Sequence, residues 1–333
     1  PVDANGYNRE VGTMSARNFG GLLAACLILM ASAPVWAKSN VDLQQASASA
    51  GFTVERVDEH MEVVSESLVQ GQQIEIHEPG AVFIKLHFSD FQLPRGMAVE
   101  VSNPDGSEAY RYSSTWRDAL TYDPREGDDG WCRFSAMSIS GDTVVVRILG
   151  FAFDADRAVI SSGEPRVVID SRLVGLPAER ASLDETVALQ ARDDGVSQTQ
   201  AICGSKDYDY VQCYVTTDPK KVERSRPVAR VLGASGSLCT AFRVGSGNRM
   251  LADNTCIADE ADLTASEVWF NYDADGCFTH VASSVTKVNA SRLLASSYEL
   301  DYSLFEVSNF SQVEEFGWLG LETREAVLNE EIY

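Results

Sequence analysis

The chain has 333 residues, of which 44% are hydrophobic, and its 49 acidic side chains against 27 basic ones give a formal net charge of −22. This composition is typical of a globular protein, and the length predicts two domains with appendages. The acidity excludes nucleic acid as a partner, because no cluster of Lys and Arg interleaved with aromatic residues offsets the repulsion from phosphate.

A stretch near the start predicts a secretory signal peptide. Arg17 gives a basic region, Leu22–Met30 is an apolar run too short to span a bilayer comfortably, and Val35-Trp36-Ala37 supplies a cleavage site. A buried N-terminal helix is the alternative. We expect residues 1–13 to be disordered sequence upstream of an initiator Met14. We expect the protein to be secreted, to the extracellular space or the periplasm, with no membrane contact after signal cleavage.

Short strand-like runs separated by turn residues follow in the first half. Turn sequences stand at 93–96, 103–106 and 140–142, and this spacing is typical of an antiparallel β-sandwich, which we place in residues 38–177. The patch Val54–Val69 has neither a strong strand nor a strong helix signature. The predicted strands are Ala81–Phe88, Met97–Ser102, Ala109–Tyr112, Phe134–Ile139, Thr143–Leu149 and Ala158–Asp170.

A second strand-rich block follows a polar linker at residues 178–202. Amphipathic helices are almost missing from both halves, so the fold class is all-β. The predicted strands of the second block are Val228–Leu232, Ser237–Val244, Met250–Asn254, Val268–Tyr272, Val281–Val288, Leu293–Ser297 and Tyr302–Val307.

Seven cysteines are present, and one of them, Cys26, leaves with the signal peptide. Five of the other six follow Ala201, so the second half is predicted to hold disulfides, which persist in an oxidising compartment. No metal or cofactor is expected, because neither the cysteines nor the four histidines have metal-ligand spacing. Residues 271–276 imitate a calcium loop but lack its bidentate Glu, so we interpret them as a turn. The histidines, for which we expect structural roles, are His60, His77, His87 and His280.

Three segments carry a resemblance to a known family. Residues 237–245 are SLCTAFRVG, residues 250–257 are MLADNTCI, and residues 301–305 are DYSLF. They resemble trypsin-like serine peptidases of the chymotrypsin fold, in particular the secreted lysyl-endopeptidase-like branch. In that family a Cys-Thr-Gly-Phe-Leu-Val strand leads to Leu-Leu-Thr-Asn-Asn-His-Cys, whose His is the general base, and an Asp-Tyr-Ala-Leu-Leu strand supplies the triad Asp. Phe83–Phe88 and Val99–Gly106 resemble the propeptide of the same precursors, so the likeness covers about Gly80–Tyr333.

The resemblance implies a propeptide-like sandwich at 38–177 followed, at 203–333, by the first barrel of a double β-barrel. It implies peptide-bond hydrolysis by acyl transfer on a protein or peptide substrate without a cofactor, and maturation by cleavage of the linker. Asp301 takes the position of the triad Asp. The disulfides that it implies are Cys239–Cys256 and Cys213–Cys277, with Cys203 left single.

Two departures from the family pattern predict that the chain is inactive. Thr255 stands where the general-base His is expected, and a hydroxyl cannot accept the proton of a serine nucleophile at pH 7. Loss of a triad member lowers kcat by on the order of 10⁴ to 10⁶. The second departure is that the serine-bearing barrel is not present in the sequence. The alternative function is that of a non-catalytic secreted binding protein that keeps the barrel architecture, a pseudoprotease.

Overall fold

The computed structural model describes residues 52–64, 73–150, 166–177, 209–277, 285–325 and 327. The predicted signal peptide, the linker at 178–202, Cys26, Cys203 and His280 lie outside these residues. Within them the fold is all-β, as predicted: strands dominate, and the helices are short.

The N-terminal part is a sandwich of two antiparallel sheets. One sheet has the order β1-β10-β3-β7-β6, with β8 also paired to β3, and the other has the order β2-β9-β4-β5. Their strands are β1 (Phe52–Val64), β2 (Gln73–His77), β3 (Phe83–Gln92), β4 (Met97–Ser102), β5 (Ala109–Ser113), β6 (Leu120–Thr121), β7 (Phe134–Ala136), β8 (Ile139–Ser140), β9 (Thr143–Gly150) and β10 (Arg166–Pro177).

Alternation along the strands forms the core between these two sheets. In β3, Ile84, Leu86 and Phe88 point into the core together with Val99 of β4 and Val146 of β9. An aromatic group fills one end of the core, with ring centroids 5.1–6.4 Å apart. Its members are Phe88, Phe91, Tyr112 and Phe134.

The C-terminal part is a closed antiparallel barrel with the strand order β11-β12-β13-β16-β15-β14. Two short helices accompany it, α1 (Pro219–Ser225) and α2 (Glu260–Thr264). Both begin at an aspartate whose carboxylate accepts backbone N–H groups of the first turn, a standard N-cap. The barrel strands are β11 (Val228–Leu232), β12 (Leu238–Arg243), β13 (Met250–Ala252), β14 (Glu267–Phe270), β15 (Thr286–Ser297) and β16 (Tyr302–Val307).

The structure corrects the sequence-based prediction at several places, and helix α1 and strands β2 and β6 are among the elements that were not predicted. Residues 52–64 form the edge strand β1, which overlaps the patch Val54–Val69 that the sequence left unassigned. This strand carries many charged residues, because an edge strand pairs on one side only. The predicted strands Val281–Val288 and Leu293–Ser297 correspond to the single strand β15, with register shifts between Ala290 and Ala295. Helix α2 was not predicted, since its five residues are too few to show a helical period.

Two disulfides tie the barrel together. Cys239 of β12 is bonded to Cys256, and Cys213 is bonded to Cys277. These are the two pairs that the family resemblance implies. Cys132, in the sandwich, is disulfide-bonded as well.

Candidate functional site

The two residues that the family resemblance singles out, Thr255 and Asp301, lie at one corner of the barrel. Strand β13 pairs antiparallel with β16, with Ala252 opposite Ser303, so the loop after β13 meets the residue before β16. The carboxylate of Asp301 accepts a hydrogen bond of 3.1 Å from the backbone N–H of Asn254. Asp301 is therefore in contact with the residue next to Thr255.

Buried polar contacts hold this corner. The Asn254 side chain, itself buried, donates to Ser303 Oγ at 3.3 Å, and Ser303 Oγ donates to the carbonyl of Ile257. The disulfide between Cys239 and Cys256 fixes the loop to β12. The loop geometry is thus determined by contacts that do not involve the Thr255 side chain.

The Thr255 hydroxyl bonds within its own loop. It is exposed and donates to Asp253 Oδ1 at 2.7 Å, and the same carboxylate oxygen accepts the backbone N–H of Cys256 at 2.9 Å. The described residues of the barrel include no histidine. Asp301 itself is exposed, and its carboxylate accepts a backbone N–H rather than orienting a base. The corner can accept and donate hydrogen bonds, but its described residues offer no group that would deprotonate a serine at neutral pH.

A second cluster, which the sequence analysis did not identify, lies where the sandwich meets the barrel. Glu267 of β14 has no exposed surface and accepts hydrogen bonds from four donors. These are Lys85 Nζ, the backbone N–H of Ser138 (3.0 Å), the Ser138 hydroxyl (2.7 Å) and Trp269 Nε1 (2.8 Å). Burial alone would raise the pKa of Glu267, but the ammonium groups of Lys85 and Lys287 outweigh it and hold this pKa below its ordinary value.

Lys287 of β15 completes the cluster from the barrel side. Its buried Nζ donates to Glu108 Oε1 at 2.8 Å, to the carbonyl of Ser138 at 2.8 Å and to Ser140 Oγ at 3.0 Å. All three partners belong to the sandwich. We call Lys85, Glu108, Ser138, Glu267 and Lys287 the junction cluster.

A histidine between two aspartates lies near the same junction. His87 Nδ1 is 2.5 Å from Asp170 and its Nε2 is 3.0 Å from Asp128, with Arg133 at 3.7 Å from Asp128. Burial would lower the pKa of His87, but the two carboxylates raise it to about 9. His87 is therefore an imidazolium at neutral pH, and its role is that of a structural cation. It lines a cavity of about 50 Å³ between the two parts of the chain, which is large enough only for water.

The sequence does contain a signal for the junction cluster. Lys85 interrupts an apolar run in β3, Glu267 is the first residue of the buried strand β14, and Lys287 directly precedes the buried Val288. A charge in such a run requires a buried partner of opposite sign. The partner could not be identified, because Lys85 and Glu267 are 182 residues apart in sequence.

Fold and sites together define a two-part β-protein joined by a buried ion network, with an exposed corner in which threonine and aspartate occupy adjacent positions. No protein-family model matches the chain. Among curated proteins it is similar to Secreted RxLR effector protein 73 of Plasmopara viticola, with 23% identity over 263 residues. The match covers 76% of this chain and 59% of the relative, so the chain spans about three fifths of that protein's length. No helix among the described residues is long and apolar enough to cross a membrane.

Proposed function

We propose that the chain is an exported, non-catalytic binding protein with a barrel of trypsin-like descent. The observation that carries the proposal is that Thr255, where the resemblance places the base, bonds to Asp253, while Asp301 bonds to the backbone of Asn254. A threonine hydroxyl bonded to Asp253 cannot act as the base that the family mechanism needs, because its pKa lies far above neutrality. The corner keeps its backbone geometry and disulfide without the residue that would make it catalytic.

Descent from the trypsin-like family is supported by two independent contacts. The Cys239–Cys256 disulfide includes the residue that follows Thr255, and the carboxylate of Asp301 accepts a hydrogen bond from the residue that precedes it, Asn254. These contacts bring three of the motif segments together, which supports the proposed descent. The same contacts make peptidase activity the second candidate function.

Export is supported by the predicted signal peptide and by the disulfides, which persist in oxidising compartments. The similar protein from Plasmopara viticola is named a secreted effector. We extend secretion to this chain as part of the proposal.

The surface next to the corner supports binding. Tyr298 and Leu300, at the tip of the β15–β16 hairpin, are 85% and 74% exposed, and they flank Glu299 and Asp301, which are also exposed. Protruding aromatic and aliphatic side chains of this kind are frequent anchors of protein interfaces. An apolar tip with acidic neighbours fits a protein partner that has an apolar pocket with a basic rim.

The experiment is an amide-hydrolysis assay of the purified chain and of Thr255→His, with fluorogenic peptides cleaved after Lys or Arg. Thr240→His, at an exposed threonine of β12, is the matched control. We expect no hydrolysis above the buffer blank for any of the three proteins. Hydrolysis by the chain itself would overturn the non-catalytic proposal in favour of the peptidase. A gain confined to Thr255→His would support trypsin-like descent and leave the natural chain non-catalytic.

A further inference from the structure

The outer face of the barrel at β14 and β15 is covered. In β14, Val268 and Phe270 point into the barrel, so Glu267 and Trp269 point outward, and yet all four residues are buried. In β15 the buried Lys287 likewise alternates with Val288, which points inward. A barrel strand that is buried on both faces needs a partner on its outer side.

The covering surface is the sandwich. Strand β3 directs Ile84 and Leu86 into the sandwich core and therefore turns Phe83 and Lys85 to the other side. Phe83 packs edge-on against Trp269, with ring centroids 5.1 Å apart, and shares an apolar cluster with Leu232 and Leu238 of the barrel.

Each part supplies one anion and one cation to this contact. The barrel contributes the anion of Glu267 and the cation of Lys287, and the sandwich contributes the cation of Lys85 and the anion of Glu108. Each buried charge has its counter-ion on the other side. Separation would leave the apolar rings exposed and would require the lysine ammonium groups and Glu267 to be hydrated anew.

Contacts at the rim extend the interface to α2. Arg125 Nη2 donates to Asp262 Oδ1 at 2.8 Å, and the backbone N–H of Tyr122 donates to the carbonyl of Thr264 at 2.9 Å. Gly236, in the turn between β11 and β12, packs so closely on Val54 of β1 that a Cβ atom would lie 2.5 Å from Val54 Cγ1.

From these contacts we propose that the sandwich is a permanent non-covalent partner of the barrel and is not released as a propeptide. Cleavage of the connecting segment then leaves one two-piece protein, in which Glu267 and Lys287 remain paired with the sandwich. Thr255 and Asp301 are exposed while the sandwich is in place, so the attached form leaves the candidate corner accessible. The proposal does not depend on whether the barrel is catalytic.

The experiment uses the full chain with a site for a sequence-specific protease inserted between residues 178 and 202. Because Cys132 is disulfide-bonded, the chain also carries Cys132→Ser, so that Cys132 cannot join the pieces covalently. After complete cleavage, we expect the sandwich and the barrel to elute together from a gel-filtration column at about 10 μM and again at about 100 nM. Elution of the sandwich apart from the barrel, whether the barrel is folded or aggregated, would overturn the proposal.

Lys287→Met, in the same cleavable chain, tests whether the junction cluster holds the pieces together. Methionine keeps the volume and removes the cation, and we expect the cleaved pair to bind about tenfold more weakly or worse. Lys221→Met, on the exposed helix α1, is the control and should leave binding unchanged. If Lys287→Met does not fold, Ser138→Ala takes its place, because it removes the hydrogen bond of the Ser138 hydroxyl to Glu267 within the junction cluster and leaves the ion pairs intact. A cleaved pair that is weakened no more than the control contradicts the proposal.

Discussion

Glu267 is a carboxylate with no exposed surface, and its charge is balanced only by buried lysines. Glu267→Gln keeps the shape and leaves the ammonium groups of Lys85 and Lys287 facing a neutral amide. We expect the free energy of unfolding to fall by about 3–5 kcal/mol, because breaking a buried ion pair leaves uncompensated charge. Urea denaturation monitored by circular dichroism measures this change.

Glu306→Gln is the matched control for Glu267→Gln. Glu306 pairs with Arg292 at 2.7 Å, but the Arg292 side chain is 65% exposed, so water replaces the lost contact. We expect a change within about 1 kcal/mol. Equal losses in the two variants would mean that the junction cluster has no special share in stability.

His87 predicts a dependence of stability on pH. Its pKa in the folded protein is about 9, above the ordinary value of 6.5, since Asp128 and Asp170 hold the proton. The stabilisation is therefore complete below pH 6.5 and is lost as the pH rises to 9, by on the order of 3 kcal/mol. Urea midpoints at pH 6 and pH 9.5 measure the loss.

His87→Gln should remove this particular decline, leaving a flatter profile and a lower stability at pH 6. His77→Gln is the control, because His77 is an exposed histidine that contacts Thr143 at 2.9 Å. The interpretation of His87 as a structural cation is wrong if His87→Gln and the parent lose the same stability between the two pH values.

At the scale of single elements, the close approach of two elements at Gly236 gives a further prediction. Gly236 has a φ of 84°, and a Cβ atom there would lie 2.5 Å from Val54 Cγ1 of β1. We expect Gly236→Ala to lower the free energy of unfolding by about 2–4 kcal/mol, since left-handed strain and overpacking add. Urea unfolding of the variant and parent gives the difference.

Gly245→Ala separates the two causes. Gly245 has a φ of 65° with open space around its Cβ position, so the variant carries only the backbone strain, about 1 kcal/mol. Val54→Ala combined with Gly236→Ala should recover part of the loss. If Gly236→Ala is no worse than Gly245→Ala, then β1 does not pack on the turn as closely as described.

The elements that could be predicted from sequence are those whose signal is local. Strands β3, β4 and β9 were predicted within a few residues, because apolar runs alternate there and turn sequences bound them. Edge strand β1 was not, because pairing on one side lets charged residues fill it. The long strand β15 was divided in two, because its bulged middle is polar and its alternation is interrupted.

The candidate corner has a local sequence signal, whereas the junction cluster depends on residues that are distant in sequence. Thr255 and Asp301 were singled out because the segments around them resemble a family motif. The pairing of Lys85 with Glu267 depends on how two separately formed parts meet, and no periodicity in one segment carries that information. The sequence indicates only that a charge in a buried run needs a partner, and the fold supplies it.

At the scale of the whole molecule, we expect the two parts to lose structure together. The sandwich holds the counter-ions of Glu267 and Lys287, and the barrel buries the outward face of β3. Unfolding either part first would leave unpaired buried charges and exposed rings on the other. The sandwich and the barrel are separate in strand topology, but we expect them to unfold as one cooperative unit.

The last prediction follows from this coupling. We expect the chain to unfold on heating in one cooperative transition, with a calorimetric enthalpy equal to the van't Hoff enthalpy, since the contact couples two parts that would otherwise melt separately. Differential scanning calorimetry is the measurement. Glu267→Gln should broaden or split the transition, whereas Glu306→Gln should leave its shape unchanged. Two resolved transitions in the parent chain would contradict the coupling, because a sandwich that survives the melting of the barrel does not need the barrel to satisfy Lys85 and Glu108.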